Sequence, residues 1–500
     1  MMLLSQAEQA LNGHLVPFDA AQGRGGDVRF TSVSTDSRKL VPGDLFVALR
    51  GENFDGYEFV AQAAQSGAVA ALVNADSYNK INPDGTTSHL TSSAKNAGQV
   101  IGYQSSIHNP EFSILVVEDT RLALGQLAAY WRKQFEIPLV AITGSNGKTT
   151  VKEMLANILR EAAGSADGVL ATRGNLNNDI GMPLTLLQLN ATHRYAVIEM
   201  GMNHTGEIEY LSNIAEPDVA LINNASGAHL EGLGSVESVA RAKGEIFAGL
   251  KHHGTAVINA DDEYAPLWRS LAGVNPLLEF GLDLQANVCG TWCPHGYGLR
   301  LDVTAPQGAF SVNLQVPGIH NAHNALAATA AAIALNVPLE VIAAGLEKFG
   351  GVAGRLQRKA ARHGARLIDD TYNANPASMR AAISVLAEAD GKRILVLGDM
   401  GELGEKAAIF HAEIGGEARR AGIKMLYALG TLSNYAVNEF GSGAQHFERI
   451  EDLQVVLEKE LDANTTVLVK GSRFMKMERV VKYLENGKVE AQPEGENKCY

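Results

Sequence analysis

Residues that could bind a phosphate group lie together in the segment IPLVAITGSNGKTTVKEMLANIL. Gly144 and Gly147 let the backbone approach an anion closely, and the helix predicted after them presents unpaired N–H groups at its N-terminus. Lys148 is placed to reach the outer phosphates of a nucleotide, and Thr149 to ligate magnesium. The usual fingerprint has a glycine where Ile142 stands. The flanking strand and helix supply the context that the motif needs, so we predict a phosphate-binding loop.

Three further side chains could take part in chemistry at this loop. Glu199 ends the apolar run YAVIEM, at the sheet edge where ligands of open α/β folds bind, and it could hold magnesium or be a solvated acid. His229 lies in a glycine-rich loop at the same edge, and alone it predicts little. Lys243 lies on a predicted helix, where a lysine usually extends to solvent. A desolvated lysine could instead react with carbon dioxide and become an anionic carbamate.

The elements around these residues predict an α/β protein of three domains. A chain of 500 residues is longer than one hydrophobic core normally organises, which predicts several domains. Its 46% of apolar residues rules out a disordered chain. We expect a small α/β N-terminal domain over residues 1–110, a central P-loop domain with a parallel sheet over 111–352, and a Rossmann-like α/β domain over 353–500. In the central range, SILVVE, PLVAIT, YAVIEM, VALINN and TAVINA alternate with amphipathic segments, as in a parallel sheet covered on both faces.

Composition narrows the classes of partner. The net charge of -13 argues against nucleic-acid binding, because neutralising phosphates needs a basic surface. No apolar run reaches membrane-spanning length, and the N-terminal residues lack the pattern of a signal peptide, so we expect a cytoplasmic protein without stable membrane insertion. Cys289 and Cys293 have no second pair to complete a zinc site.

Several motifs together resemble the Mur ligase family, the ATP-dependent amide-forming enzymes of peptidoglycan precursor synthesis. TGSNGKTT is similar to the phosphate loop of the family, which accounts for the missing first glycine. GIHNAHNALAA is similar to its ATP-binding histidine-asparagine motif, and GRLQ to its hinge into the third domain. The order and spacing of these motifs match the family across nearly the whole chain.

Other segments resemble one activity within the family, the addition of D-alanyl-D-alanine. STDSRKLVPGDLFVALRGENFDGYEF is like the uridine-nucleotide segment of the first domain, although Tyr57 stands where we expect histidine. DDTYNANPASM, LGDMGELG and VLVKGSRFMKME are like third-domain segments of the dipeptide-adding enzyme, and RGNLNNDIG and EMGMNHTGEI also resemble it. The YAHTP-like segment expected of the enzyme that adds the third residue is absent.

This resemblance implies a reaction, its cofactors and its partners. The carboxylate of UDP-N-acetylmuramoyl-tripeptide would be joined to D-alanyl-D-alanine through an acyl phosphate, with ATP cleaved to ADP and phosphate. ATP and Mg²⁺, with two ions, would be needed, and Lys243 would be carbamylated. We expect a monomer, with a mobile third domain hinged near residues 350–354.

The resemblance also assigns residues to each ligand. Catalytic roles fall to Lys148, Glu199, His229, Lys243 and Arg355, and metal ligation to Thr149, Glu199, His229 and Lys243. ATP would contact Gly144, Ser145, Asn146, Gly147, Lys148, Thr149, Thr150, His320, Asn321, Asn324 and Arg355. The UDP-sugar would contact Ser34, Asp36, Ser37, Arg38, Phe54, Asp55, Asn175, Asn177, Asn178, Asn203 and His204. The dipeptide would contact Asp370, Tyr372, Asn373, Asn375, Lys470 and Ser472. The asparagines could instead be helix caps or turn residues.

Two other functions remain open at this point. One is another amide ligase of the same architecture, such as the tripeptide-forming enzyme or a folate polyglutamate ligase, which would take a single amino acid. The other is a regulatory protein that uses a nucleotide only as a conformational signal. Against the second, no NKxD segment of the kind that reads guanine is present.

Overall fold

The computed structural model describes residues 1–17, 28–51, 54–81, 112–227, 230–282 and 285–486. Within these ranges the chain forms a two-stranded sheet and three larger sheets of five, nine and six strands. Each larger sheet is mainly parallel and carries helices between its strands. The predicted three-domain α/β architecture is therefore confirmed.

The N-terminal domain is built on the five-stranded sheet. Its elements are β1 (Met2–Leu3), α1 (Leu4–Leu11), β2 (His14–Pro17), β3 (Arg29–Phe30), β4 (Ser32–Ser34), β5 (Asp44–Val47), α2 (Val60–Gln65), β6 (Ala70–Asn74), α3 (Ala75–Ile81) and β7 (Ser113–Val117). The strand order is β2-β7-β6-β5-β4, with only β2 antiparallel to its neighbour. Every residue of β5 is buried, as the run DLFV predicts.

One predicted boundary is wrong. The run SILVVE was assigned to the central domain, which was expected to start at residue 111. Strand β7, formed by this run, instead lies between β2 and β6 of the first sheet. The run is apolar because both faces of that sheet are covered, and a short apolar strand looks the same in either domain.

The central domain is built on the nine-stranded sheet. Its elements are α4 (Thr120–Arg132), β8 (Leu139–Thr143), α5 (Lys148–Ala163), β9 (Val169–Ala171), α6 (Gly181–Leu186), β10 (Tyr195–Glu199), α7 (Glu207–Ala215), β11 (Val219–Ile222), α8 (Leu230–Leu233), α9 (Val236–Gly244), β12 (Thr255–Asn259), α10 (Ala265–Ala272), β13 (Leu277–Gly281), β14 (Val288–His295), β15 (Gly298–Ala305), β16 (Gly308–Leu314), α11 (Ile319–Ala334) and α12 (Leu339–Glu347). The predicted runs PLVAIT, YAVIEM, VALINN and TAVINA form β8, β10, β11 and β12.

The order of the central strands places the phosphate loop at the middle of the sheet. The order is β16-β15-β14-β13-β12-β11-β8-β10-β9, in which β8 lies between β10 and β11. Strands β8 to β14 are parallel to their neighbours, and β15 and β16 add an antiparallel extension. The chain leaves β8 at a point where the strand order reverses, and such a point opens a crevice at the carboxyl ends of the strands.

The third domain repeats this arrangement on the six-stranded sheet. Its elements are β17 (Gln357–Ala360), β18 (Arg366–Asp370), α13 (Pro376–Ala387), β19 (Lys392–Gly398), α14 (Ala407–Arg420), β20 (Met425–Leu429), α15 (Ser433–Phe440), β21 (Ala444–Phe447), α16 (Ile450–Lys459), β22 (Thr465–Lys470) and α17 (Glu478–Asn486). The order is β17-β18-β22-β19-β20-β21, so the loops after β18, β22 and β19 lie side by side.

Helices α5 and α11 pack against each other on one face of the central sheet. Helix α11 is alanine-rich and almost wholly buried, because small side chains let it lie close to α5 and to the strands. Each of these helices has 16 residues. None of the helices in the described ranges is long and apolar enough to span a bilayer.

Candidate active site

The phosphate loop joins β8 to α5 and is tied to the loop that follows β11. The backbone N–H groups of Ser145 and Asn146 donate to Asn224, at 3.0 Å to its carbonyl oxygen and 2.8 Å to its Oδ1 atom. Lys148 Nζ donates to the Gly144 carbonyl at 2.6 Å. The N–H groups in the first turn of α5 have no carbonyl of a preceding turn to which they can donate hydrogen bonds. The loop therefore presents backbone amides and one ammonium group to an anion.

Behind the loop, Thr149, Glu199, Asn177 and Arg355 form one hydrogen-bonded cluster. Thr149 Oγ1 donates to Glu199 Oε2 at 3.0 Å and accepts from Arg355 Nη2 at 2.8 Å. Asn177 Nδ2 donates to the other carboxylate oxygen of Glu199 at 2.8 Å. The cluster joins the central domain to the segment that leads into the third domain. Asn177, which was predicted to contact the UDP-sugar, thus lies beside the predicted metal ligands.

Two lysines, the half-buried Lys148 and the buried Lys243, influence each other near this cluster. Burial lowers the pKa of Lys148, and the Glu199 carboxylate opposes that shift. Lys243, on α9, is only 2% exposed. Burial, and then the positive charge of Lys148, hold the pKa of Lys243 well below its usual range. No residue in the described part of the chain pairs with the Lys243 amine, and His229 lies outside the described residues.

A chain of side-chain amides links the phosphate loop to helix α11. Asn223 Nδ2 donates to the backbone carbonyl of Asn146 at 2.9 Å and to Asn324 Oδ1 at 3.0 Å. Asn324 Nδ2 in turn donates to Asn321 Oδ1 at 3.2 Å. Gly147, with φ of +77°, lies directly against this chain, and a Cβ atom there would collide with Asn324 and Asn223. Glycine is needed at this position for both its backbone conformation and its close approach.

Two histidines of α11 line the cleft, His320 and His323, and burial lowers the pKa of both. Burial, and then the charges of Lys470 and His323, lower the pKa of His320 to about 4. Burial also lowers the pKa of His323, whose Nδ1 atom lies 3.6 Å from Asp261 Oδ2. A neutral ring is suited to hydrogen bonding or stacking with a nucleoside, which carries no charge itself.

The third domain contributes the loop after β18, which a buried ion pair fixes in place. Lys470 Nζ lies 2.6 Å from Asp370 Oδ2 and donates to the Asn373 carbonyl at 2.9 Å. Burial raises the pKa of Asp370, and Lys470 opposes that shift. Asp370 also accepts the backbone N–H of Leu356 at 3.1 Å. Asp370 and Lys470 therefore fix the shape of this loop.

The same loop contacts the central domain at two points. The Arg355 guanidinium lies over the Tyr372 ring, 4.3 Å from its centroid, while its Nη2 atom reaches Thr149. Asn375 Nδ2 donates to Asn146 Oδ1 in the phosphate loop at 2.8 Å. Residues predicted to contact ATP and the dipeptide are thus in direct contact with each other.

The loop after β19 is fixed from two sides and carries a strained glutamate. Met400 N–H donates to Nε2 of the fully buried His411 at 2.9 Å, and Gly401 N–H donates to Ser472 Oγ at 2.9 Å. Glu402 follows with φ of +60°, a conformation rare outside glycine and asparagine. Its carboxylate is close enough to Lys148 to raise the pKa of that lysine. Glu402 lies in the third domain and lines the same cleft as Lys148.

A cleft of about 4270 Å³ brings most of the predicted residues together. From the first domain it is lined by Ser34, Asp36, Ser37, Arg38 and Phe54, and from the central domain by Ser145, Asn146, Gly147, Lys148, Thr150, Asn175, Asn177, Asn178, Glu199, Asn203, His320, Asn321 and Asn324. Arg355 and all six predicted dipeptide residues line it as well. Among the described residues, Gly144, Thr149, Lys243, Asp55 and His204 are not part of the lining.

Asp55 and His204, which were predicted to contact the UDP-sugar, have structural partners outside the cleft lining instead. Asp55 accepts the backbone N–H of Tyr57 at 3.0 Å and caps the short helix that holds Tyr57. His204 Nδ1 pairs with Glu207 at 3.1 Å on the surface. At the edge of the cleft, Asp36 receives two hydrogen bonds from the Arg38 guanidinium, which lower the pKa of Asp36 to about 2.

Sequence reasoning missed several residues of the site. Asn223 and Asn224 are the last two residues of the run VALINN and directly follow β11, and their position at the same sheet edge as Glu199 was an available signal. Glu402 lies in the quoted motif LGDMGELG but was not singled out. His411 belongs to none of the quoted motifs, and its place on α14 is known only from the structure, so the sequence gives no sign of its contact with Met400.

Comparison with protein families matches each of the three domains. The description "Mur ligase family, catalytic domain" matches residues 29–132, "Mur ligase middle domain" matches residues 142–332, and "Mur ligase, glutamate ligase domain" matches residues 354–473. The matches follow the order of the three sheets along the chain. The resemblance inferred from the motifs is confirmed.

Individual relatives match over nearly the full length. The chain is 40% identical over 491 residues to UDP-N-acetylmuramoyl-tripeptide–D-alanyl-D-alanine ligase of Escherichia coli (strain K12), covering 97% of this chain and 98% of the relative. It is 36% identical, with a TM-score of 0.82, to a crystal structure of MurF from Acinetobacter baumannii, covering 96% and 97%. MurF from Thermotoga maritima in complex with ADP is 26% identical, with a TM-score of 0.74, covering 91% and 97%. The chain belongs to the Mur ligase family.

Proposed function

We propose that this chain is an ATP-dependent amide ligase that joins D-alanyl-D-alanine to UDP-N-acetylmuramoyl-tripeptide. The observation that carries the proposal is the contact across the cleft, where Arg355 meets Thr149 and Asn375 meets Asn146. A nucleotide site and a substrate loop of another domain therefore share one chamber. The names of the relatives at 34–41% identity support the choice of substrates. The enzyme acts as a monomer in the cytoplasm.

ATP lies with its phosphates on the loop amides and Lys148. Its nucleoside points towards the neutral imidazole of His320 and the amides of Asn321 and Asn324, which line the same cleft. The positive end of the α5 dipole favours the phosphate charge. Arg355 bonds to Thr149 and stacks on Tyr372. Its guanidinium is therefore placed to stabilise the negative charge of the γ-phosphoryl group during transfer.

The donor set behind the loop fits magnesium. A hydroxyl and a carboxylate oxygen lie 3.0 Å apart at Thr149 and Glu199, and both are hard oxygen ligands. Within the described ranges no three His, Cys, Asp or Glu residues form a metal cluster, so further ligands would come from phosphate, water, His229 and a modified Lys243. When bound, two magnesium ions would neutralise the repulsion between the attacking carboxylate and the γ-phosphate.

Lys243 is suited to carbamylation because it is buried and its amine is easily deprotonated. The neutral amine nitrogen forms a bond to the carbon of carbon dioxide, and one proton is released. The product is a carbamate anion with two oxygens. A protonated Lys243 would repel Lys148 and the metal, whereas the carbamate carries a negative charge that attracts both. Carbamylation would therefore account for a lysine at this buried position.

The reaction proceeds in two steps on the substrates. A carboxylate oxygen of the tripeptide attacks the γ-phosphorus in line, and ADP leaves with the electron pair of the broken P–O bond. Lys148 and Arg355 stabilise the charge on the transferred group. The dipeptide amine then adds to the acyl carbon of the acyl phosphate, a proton is lost, and phosphate departs. Positioning supplies much of the rate, because little covalent chemistry is left to the protein.

Glu402 binds the incoming amine. An α-amine near neutral pH is largely protonated and must lose protons before and during the attack. Glu402 lines the same cleft as Lys148, next to a loop held by His411 and Ser472, so its carboxylate can hold the ammonium of the dipeptide close to the acyl phosphate and accept its proton.

The two other substrates approach from opposite sides. The UDP-sugar lies along Ser34, Asp36, Ser37 and Arg38 of the first domain, and its peptide reaches towards Glu199. The dipeptide lies against the loop after β18. Because water would hydrolyse the acyl phosphate, the third domain closes before chemistry, with the positive-φ glycines Gly351 and Gly354 in the hinge.

The test is phosphate release from ATP by the purified protein with UDP-N-acetylmuramoyl-tripeptide, with and without D-alanyl-D-alanine. The nucleotide product is followed by mass spectrometry. Release that depends on the dipeptide, with a matching pentapeptide mass, is the expected result. Turnover with a single amino acid but not with the dipeptide would move the chain to a sister ligase, and ATP binding without any product would favour a nucleotide switch.

A further inference from the structure

The residue after Arg355 has a strained backbone. Leu356 has φ of +48°, in the left-handed region that a branched side chain rarely adopts. Its side chain is 7% exposed and packs in the core of the third domain. Such strain persists only where the surroundings fix it, and it clusters at functional sites. The strained peptide joins Arg355, which contacts the central domain, to the start of the third sheet.

Hydrogen bonds hold Leu356 at both of its backbone polar groups. Its N–H donates to Asp370 Oδ1 at 3.1 Å, from the third domain. Its carbonyl accepts from Tyr297 Oη at 3.0 Å, from the turn between β14 and β15 of the central domain. The Leu356 backbone is therefore held by one contact from each of two domains.

The phenol of Tyr297 is itself held in place. The Arg358 guanidinium lies over its ring, 4.9 Å from the centroid. Burial raises the pKa of Tyr297 to about 12, so the hydroxyl keeps its proton throughout the neutral range. Tyr297 is thus a permanent donor that aims at one carbonyl.

The held peptide determines where Arg355 points. The Arg355 N–H donates to the Val352 carbonyl at 3.1 Å, and the Gly354 carbonyl accepts from Tyr372 N–H at 3.1 Å. With Leu356 fixed as well, the backbone on both sides of Arg355 is bonded. Its guanidinium then lies on Tyr372 and reaches Thr149. A rotation at Leu356 would turn this side chain away from the phosphate loop.

We propose that Tyr297 is a positioning residue of the ligase reaction, which fixes the Leu356 peptide and through it holds the Arg355 guanidinium on Thr149. This inference rests on the proposed function for its kinetic consequence. Its structural consequence, a hinge amide protected by a contact from the central domain, does not depend on which substrates are joined. The β14–β15 turn thereby acquires a role at an active site whose cleft it does not line.

The kinetic test is a double-mutant cycle. Tyr297→Phe keeps the ring and its contact with Arg358 and removes one hydrogen bond, so kcat should fall about two- to tenfold with KM for the dipeptide nearly unchanged. In an Arg355→Lys background, Tyr297→Phe should change kcat by less than about twofold, because the guanidinium that Tyr297 positions is no longer present. Equal fold-losses in both backgrounds would overturn the proposal.

A control and a second measurement separate this role from general stability. Tyr483→Phe also removes one phenol hydrogen bond in a residue outside the cleft lining, where Tyr483 donates to Glu458. It should leave kcat unchanged. Hydrogen exchange of the peptide over residues 350–358 should quicken in Tyr297→Phe and not in Tyr483→Phe. Unchanged exchange there would refute the contact even if the ligase activity were not found, and faster exchange would support it in that case too.

Discussion

Asn375 Nδ2 lies 2.8 Å from Asn146 Oδ1, so a side chain of the third domain donates directly to the phosphate loop. The opposite end of the same amide caps a helix, because Asn375 Oδ1 accepts the Ser378 N–H at 2.8 Å at the start of α13. One side chain therefore both caps a helix and joins the third domain to the phosphate loop.

These two roles can be separated by substitution at Asn375. Asn375→Asp keeps the cap acceptor and loses the donor, so the unfolding free energy should change by less than about 0.5 kcal/mol. Asn375→Ala loses both groups and should cost about 1 kcal/mol. The aspartate should also repel the phosphates, and kcat/KM for ATP should fall more in Asn375→Asp than in Asn375→Ala. Urea unfolding and steady-state kinetics measure the two effects, and the reverse kinetic order would contradict the direct contact.

Lys243→Ala should abolish most of the activity and respond to chemical rescue. Loss of the proposed carbamate should lower kcat by about 100-fold, and bicarbonate or a short carboxylic acid should restore part of it. Lys152→Met is the matched control, since Lys152 is also buried but donates to the Thr172 carbonyl. It should not respond to the acids. A fully active Lys243→Ala would exclude the carbamate, as would the absence of a ¹³C carbamate signal in wild-type protein under labelled carbon dioxide.

Glu402 variants distinguish a need for charge from a need for backbone shape. Glu402→Gln removes the carboxylate, while Glu402→Gly also relieves the positive φ angle. Both should lower kcat/KM for the dipeptide by about 100-fold, the size expected for a lost general base. Glu405→Gln, at an exposed neighbour, should not. Activity retained in Glu402→Gly would show that the residue serves only the turn.

His320 should stay neutral far below the pH at which ordinary histidines titrate. Its pKa of about 4 means that between pH 4 and 6.5 the unfolded chain binds a proton that the folded chain does not. The contribution of His320 to stability is therefore present above pH 6.5 and is lost as the pH falls through this window. Side-chain ¹⁵N shifts, assigned by comparison with His320→Gln, should show a neutral ring at pH 5. A midpoint near 6.5 would refute the burial argument.

Local patterns were sufficient for the strands and for the phosphate loop. The runs that became β8, β10, β11 and β12 are apolar on both faces, and a parallel sheet is the common solution for such runs. Glu199 could be singled out as a candidate site residue because it ends an apolar strand. The run over residues 113–117 has the same character, yet it belongs to the first sheet. Only pairing between distant segments decides that choice, and no window of sequence contains it.

The contacts between domains were beyond reach for the same reason. Asn146 and Asn375 are 229 residues apart, and Thr149 and Arg355 are 206 apart. The sequence identified each of these residues separately. Their meeting depends on how the third domain is set against the second. Tyr297 belongs to none of the motifs in the sequence. Its role depends on the hydrogen bond to the Leu356 carbonyl, which only the structure shows.

Asn146 also bears on the chemical ageing of the protein. It precedes Gly147, and an asparagine before a glycine deamidates readily when its side chain can fold onto the next backbone nitrogen. Here Nδ2 donates to Ser226 Oγ at 2.9 Å and Oδ1 accepts from Asn375, so both ends of the amide must be released before cyclisation. The rate at which Asn146 deamidates in a stored sample should therefore depend on how often its contact with Asn375 breaks. Ligands that keep the third domain against the phosphate loop should slow this deamidation.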